Sequence, residues 1–190
     1  MDSRAAIIAD LRAQLSQVAP MRTQAPPSPT GIPSIDEHIA GWPSPGVALI
    51  HGPVGSGRFS LILPALRQHT EAGRTIAIVD PLGWLYPPGL PNIDLQRLML
   101  VRCGSPLSGW AATQLAASGA LPMTILLDPP PLRRDAIRLM RAAQTGESTV
   151  IVLTEQPDRD LAAPVRLRCL SSKEVQIERG AAGQPRVSFT

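Results

Sequence analysis

Apolar positions divide the chain into stretches with different periods. From Ser3 to Ala19, Ile8, Leu11, Leu15 and Val18 recur at spacings of three, four and three, with Arg4, Arg12, Gln14 and Gln17 elsewhere. That period predicts an amphipathic helix with one apolar stripe. Pro20 to Pro29 holds four prolines in ten residues, which cannot continue the helix and reads as an extended linker. From Thr30 the pattern becomes short, continuous apolar runs: Val47 to His51, Thr75 to Asp80, Leu98 to Cys103, Thr124 to Asp128 and Thr149 to Thr154. Such runs suit strands buried on both faces of a parallel sheet. Between them lie helical candidates, Arg58 to Ala72, Leu107 to Ser118 and Leu132 to Thr145, followed by Gly73, Gly119 and Gly146 as expected left-handed C-terminal caps. Val165 to Leu170 alternates apolar residues with arginine, and Val175 to Arg179 and Arg186 to Thr190 flank Gly180-Ala181-Ala182-Gly183, a hairpin signal. The predicted architecture is a doubly wound α/β domain over 30–190. It has a mostly parallel sheet flanked by helices, a C-terminal antiparallel hairpin, and a helix (1–19) tethered by a linker (20–29).

Composition narrows this picture. A chain of 190 residues, 44% of them apolar, supports one sizeable core. The formal net charge is only +3, and the basic residues are scattered and almost all arginine, Lys173 being the one lysine. Charge alone therefore does not imply a nucleic-acid partner. Cys103 and Cys169 stand apart in apolar surroundings, and His38, His51 and His69 are equally dispersed. Reduced buried thiols and structural histidines are expected, not a disulfide or a metal site. No apolar run approaches the about 18 residues of a membrane span, so a soluble, cytoplasmic protein is expected.

The first apolar run leads into His51-Gly52-Pro53-Val54-Gly55-Ser56-Gly57-Arg58-Phe59-Ser60. This is the frame of a phosphate-binding loop, in which glycines let backbone N–H groups turn inward at a helix N-terminus. Gly52, Gly55, Gly57, Arg58, Ser60 and, after the fourth run, Asp128 are the candidate nucleotide-site residues. Two side chains are wrong for hydrolysis. Arg58 stands at the lysine position, where a planar fork cannot simply replace a point charge between phosphates. Phe59 stands at the magnesium-ligand position and offers no oxygen, while Ser60 comes one residue late, about 100° further round a helix. Asp128 occupies the place of a metal-holding carboxylate, though it could equally cap the next segment or satisfy loop amides. The expected state is a vestigial site with no catalytic residue, no metal and no cofactor, ATP binding being the less favoured alternative.

Several stretches resemble the RecA superfamily in the right order: Thr30-Gly31-Ile32-Pro33-Ser34-Ile35-Asp36 before the first strand, Gly46 to Gly57 at the loop, Glu71 to Asp80, and Ala116 to Asp128. Within it the chain is similar to ImuA, the RecA-like accessory family of bacterial error-prone translesion synthesis. That likeness is carried by Asp80-Pro81-Leu82-Gly83-Trp84-Leu85-Tyr86-Pro87-Pro88-Gly89-Leu90 and Ile93-Asp94-Leu95-Gln96-Arg97-Leu98. The resemblance implies partnership with ImuB (an inactive Y-family polymerase relative), with an error-prone C-family polymerase and with RecA, in the SOS response to DNA damage. RecA carries a water-activating glutamate two residues beyond the aspartate matching Asp80; Leu82 stands there. RecA's two DNA-gripping loops are reduced to a few residues after Asp128 and about ten after Thr154.

The expectation is therefore a non-hydrolysing adaptor in SOS mutagenesis and DNA repair. The alternatives are a weak RecA-family ATPase and a SulA-type division inhibitor. Little direct DNA binding is expected, and Trp42, Trp84, Trp110 and Tyr86 are read as core or interface residues. The Ile8, Leu11, Leu15 and Val18 stripe is a candidate partner-binding or self-association surface, with docking on its own domain an almost equal alternative.

Overall fold

The computed structural model describes residues 27–189, so the helix expected over 1–19, with Ile8, Leu11, Leu15 and Val18, lies outside the described residues. Eight strands form one sheet in the order β3-β2-β4-β5-β1-β6-β7-β8. The strands are β1 (Gly46–His51), β2 (Ile76–Val79), β3 (Leu98–Val101), β4 (Met123–Leu127), β5 (Thr149–Thr154), β6 (Val165–Ser171), β7 (Glu174–Arg179) and β8 (Arg186–Ser188). The first six run parallel; β7 then pairs antiparallel to β6, and β8 antiparallel to β7, at the end of the sheet. The helices are α1 (Pro33–Asp36), α2 (Leu63–Glu71), α3 (Ser108–Ala117) and α4 (Arg134–Thr145). This is the doubly wound, mostly parallel sheet that the apolar runs predict, with its C-terminal hairpin.

The central strands alternate between two cores. Ala48, Ile50, Ile151 and Leu153 face one side, with Ile35, Ala65 and Leu66 from α1 and α2. Val47, Leu49, Val150 and Val152 face the other, with Ala112, Ala116, Leu139 and Ala143 from α3 and α4. Both faces of β1 and β5 are covered, which is why each reads as a continuous apolar run. The β3 run departs from that rule. It is an edge strand, half-exposed along its length, and among the described residues no strand lies beside its other ladder edge.

Two further expectations need correction. The helix expected from Arg58 begins only at Leu63, and residues 54–62 form turns. Pro64 explains the delay: in the interior of a helix starting at Arg58 it would lack its N–H and clash with the carbonyl four residues earlier, but in a first turn it is tolerated. Gly146 is not a left-handed cap. Its φ is −88°, and Glu147 takes the positive φ of 51°. Glycine is required at 146 by proximity, since a Cβ there would lie 1.9 Å from the Ala116 carbonyl oxygen. That oxygen, at the end of α3, accepts from Ser148 Oγ at 3.1 Å. Of the four large aromatic residues read as core or interface, Trp42 belongs to the core, while Trp84, Tyr86 and Trp110 are exposed.

Ser28, within the stretch read as a linker, forms a two-way backbone pair with Trp42 (3.0 and 2.7 Å). The chain is thus fastened to the domain as it arrives from residue 26. No helix among the described residues is long and apolar enough to cross a membrane.

Candidate functional site

The loop after β1 takes the backbone course that its glycines permit. Gly55 and Gly57 have φ of 80° and 85°, values costly for any residue with a Cβ. Gly57 also needs its lack of side chain because Ser172, in the β6–β7 turn, lies against it; a Cβ would come within 3.0 Å of the Ser172 Cα. Gly52 N–H donates to the Thr154 carbonyl at 3.1 Å, tying the loop's start to the carboxyl end of β5.

Arg58 and Asp128, 70 residues apart in sequence, meet over that end of the sheet. Nη1 donates to Oδ1 at 2.6 Å and Nη2 to Oδ2 at 3.3 Å. Because β5 lies between β1 and β4, the guanidinium reaches across one strand to arrive there. Arg58 is only 8% exposed, so this is a forked, largely desolvated ion pair. The neighbouring backbone holds Asp128 in place: its N–H donates to the Leu153 carbonyl at 2.8 Å, and its φ is 34°, in the left-handed region. Asp128 thus neither caps a helix nor satisfies loop amides through its side chain; it neutralises the loop's cation.

A cavity of about 410 Å³ adjoins the pair, lined by Gly55, Gly57, Ser60, Trp84 and Leu127 among others. Five of the six candidate residues thus share one site, with Gly52 at its root. Phe59, at the metal-ligand position, packs against the apolar core under α2. Below Gly52 lies Cys169, where a Cβ on the glycine would meet the thiol-bearing carbon at 3.0 Å. Burial pushes the Cys169 thiol up to about 11, against a smaller opposing pull from the Ser56 hydroxyl and the Arg58 charge, so it is a neutral packing residue.

Asp80 ends β2 and is buried. Its carboxylate accepts from the N–H groups of Gly83 (2.9 Å), Trp84 (3.2 Å) and Leu85 (2.9 Å). This carboxylate is engaged in shaping residues 81–86, while Leu82 beside it is exposed and cannot accept a proton. Trp84 and Tyr86 project from the turn so formed, 68% and 71% exposed. Arg102 Nη2 donates to the Leu85 carbonyl at 3.1 Å and fastens the turn to the segment after β3. Seven of the nine large exposed apolar residues among those described fall between Leu82 and Trp110, the stretch that builds the β3 side of the molecule. The sequence reading names Trp84, Tyr86 and Trp110 as core or interface residues but not Leu82, Leu95, Met99 and Leu107 beside them.

The loops after β4 and β5 are fastened to each other. Leu132 N–H donates to Asp158 Oδ2 at 2.9 Å, and Arg166 Nη2 donates to the carbonyls of Asp158 (3.4 Å) and Leu161 (3.0 Å). Beside them Leu82, Trp84, Thr154 and Glu155 help to line a cleft of about 530 Å³.

The strand order, the loop after β1 and the opposed aspartate after β4 place the chain in the RecA-like α/β class. Two solved structures share this fold. The RadB recombinase superposes with a TM-score of 0.66 at 17% identity, covering 85% of this chain and 93% of its own. A KaiC-like protein from the archaeon Pyrococcus horikoshii gives 0.62 at 14% identity over 86% and 98% of the two chains. SulA from Pseudomonas aeruginosa gives 0.49 at 19% identity over 57% and 96%. No protein-family model matches the chain, and no curated protein matches it by sequence.

Proposed function

We propose that this chain is a non-hydrolysing RecA-like adaptor that acts by binding other proteins in SOS mutagenesis and translesion DNA synthesis, with an ImuB-type polymerase relative and RecA as its partners. The observation that carries the reading is the Arg58–Asp128 pair: the loop cation and the carboxylate that would hold magnesium neutralise each other. Phosphoryl transfer depends almost wholly on positioned charge, and Phe59 and Leu82 supply neither a metal ligand nor a base. The choice of partners rests on the resemblance of residues 76–101 to ImuA. The test has two arms on the purified full chain. Magnesium-ATP turnover is expected at background, and capture of an ImuB-type protein or RecA is expected at micromolar concentration. Turnover clearly above background that Arg58→Ala abolishes would establish the weak-ATPase reading instead, which the open cavity beside Gly55 and Gly57 favours. Capture of the bacterial tubulin relative in place of either partner would establish a division inhibitor.

A further inference from the structure

The cleft beside the fastened loops carries a charge opposite to that of the chain. It measures about 530 Å³, within the roughly 300–1,000 Å³ of ordinary binding clefts, and lies at the carboxyl ends of β4 and β5. The chain has a formal net charge of +3, yet four of the five charged residues lining the cleft are carboxylates: Asp128, Glu155, Asp158 and Asp160, against Arg159. Asp128 is engaged by Arg58, and Asp158 by the N–H groups of Leu132 and Asp160, both at 2.9 Å. Glu155 and Asp160 are exposed and take part in none of the ion pairs among the described residues. Trp84, 68% exposed, lines the same cleft. So does Thr154, which is only 7% exposed and whose hydroxyl oxygen is buried without a hydrogen-bond partner. A buried hydroxyl in that state is destabilising until something bonds to it.

We infer that this cleft binds an arginine side chain presented by an extended cationic segment of a partner protein. A guanidinium meets each feature in turn. Its plane stacks on an exposed indole such as Trp84, and its fork suits the free carboxylates of Glu155 and Asp160. A remaining N–H donates to the Thr154 hydroxyl, which can accept as well as donate. A lysine ammonium, a compact point charge, cannot lie flat on the ring and fork onto the acids at once. The methylene stem of arginine suits the rings of Pro129, Pro131 and Pro157, which also line the cleft. Those prolines fix φ in the two loops and Asp158 ties the loops together, so the cleft is shaped before its ligand arrives and less ordering is lost on binding. The same carboxylates repel a phosphate backbone, which sets a nucleic-acid strand aside as the occupant.

The inference rests on the reading that this chain acts by binding proteins, yet its test uses no ImuB-type protein, RecA or nucleotide. The probe is a tri-arginine peptide blocked at both ends, titrated into the full chain carrying Trp110→Phe, so that Trp84 is the exposed indole and Trp42 stays in the core. A saturable change in tryptophan emission is expected, weakening as salt rises. Glu155→Gln/Asp160→Asn, at exposed positions, is expected to weaken binding at least about fivefold. Thr154→Val is expected to weaken it about threefold with no loss of unfolding free energy, because the hydroxyl has no bond to lose. Glu71→Gln, which removes an exposed carboxylate at the end of α2, is expected to bind as the parent does. The absence of a saturable response, equal binding by the Glu155→Gln/Asp160→Asn chain, or displacement of the peptide by a short oligothymidylate would overturn the inference. Failure of the peptide with capture of the proposed partners intact sinks the inference alone, whereas peptide binding without such capture supports it and sinks the choice of partners.

Discussion

The crevice over β1, β5 and β4 and the β3 side of the sheet treat their side chains in opposite ways. In the crevice above β1 and β4 each functional-looking charge has a protein partner: Arg58 holds Asp128, and next door Asp80 holds three backbone N–H groups. At the β3 side, side chains that would ordinarily be buried are left in solvent, and the strand edge beside them has no neighbour among the described residues. Isolated exposed apolar residues are ordinary, but a concentration of them on one stretch of a small domain marks a surface that meets something. The comparison separates a crevice whose charges hold one another from a side of the sheet where contact with other molecules is to be sought.

The sharpest way to break the comparison is to unpair the crevice. Asp128→Asn keeps the shape and suits a positive φ but leaves Arg58 buried without a counter-charge. Removing one partner of a buried pair costs about 3–5 kcal/mol, and the half-open setting of Asp128 places the expected loss near the lower figure. Urea unfolding measures it. The double variant Arg58→Met/Asp128→Asn is expected to recover most of the loss, and if it does not, the pair is not what stabilises this end of the sheet.

His69 offers a contrast with the paired crevice. Both ring nitrogens are buried without a hydrogen-bond partner, and burial, helped by the nearby Arg74 charge, lowers its pKa from 6.5 to about 4. The unfolded chain therefore binds a proton below pH 6.5 while the folded chain resists it until about pH 4. Folded-state stability is fully present above pH 6.5 and falls through that window. At about 1.4 kcal/mol per unit of separation, the loss by pH 4 is on the order of 2–3 kcal/mol. Unfolding free energies compared between pH 7 and pH 4 should show that decline in the unmodified chain and a shallower one in His69→Leu; parallel slopes would remove His69 as the cause.

Much of the fold was legible because two-sided burial leaves a continuous apolar run, and β1, β2, β4 and β5 all satisfy that condition. The β3 run looked the same but lies at an edge, because a run of apolar residues reports that a strand exists and not what stands on its far side. Gly146 was legible as a glycine that matters, yet its reason is a contact with Ala116, 30 positions away, which no local pattern encodes. The six nucleotide-frame residues could be named from the loop and from the end of the fourth run. That Arg58 and Asp128 bind each other could not, since the interposition of β5 sets the distance between them. The delayed start of α2 was legible in Pro64 and was overlooked.

Gly146 also tests the helix layer that presents Trp110. Gly146→Ala would force a methyl group against the Ala116 carbonyl, pushing α4's end away from α3. Overpacking of this kind costs about 1–3 kcal/mol. Thermal unfolding should register the loss, and a neutral result would mean that the two helices separate freely and that the layer is looser than its alanine packing indicates.

The smallest expected effect on stability is at the β3 side, and there the comparison is tested most directly. Trp84 and Tyr86 stand on a turn whose shape comes from backbone donation to Asp80, not from their own rings. Replacing both with serine removes aromatic surface that already faces water, so unfolding free energy should stay within about 0.5 kcal/mol of the parent. Exposed tryptophan and tyrosine are, however, the residue types that most often anchor protein interfaces, where a single truncation costs about 2 kcal/mol or more. Capture of the proposed ImuB-type or RecA partner by the doubly substituted chain should therefore weaken by more than about 30-fold. Arg58→Met/Asp128→Asn, which alters only the crevice, should bind as the parent does once folded. If the crevice variant loses partner binding while the aromatic variant keeps it, the division of labour between the two regions is reversed, and the nucleotide frame becomes the contact surface.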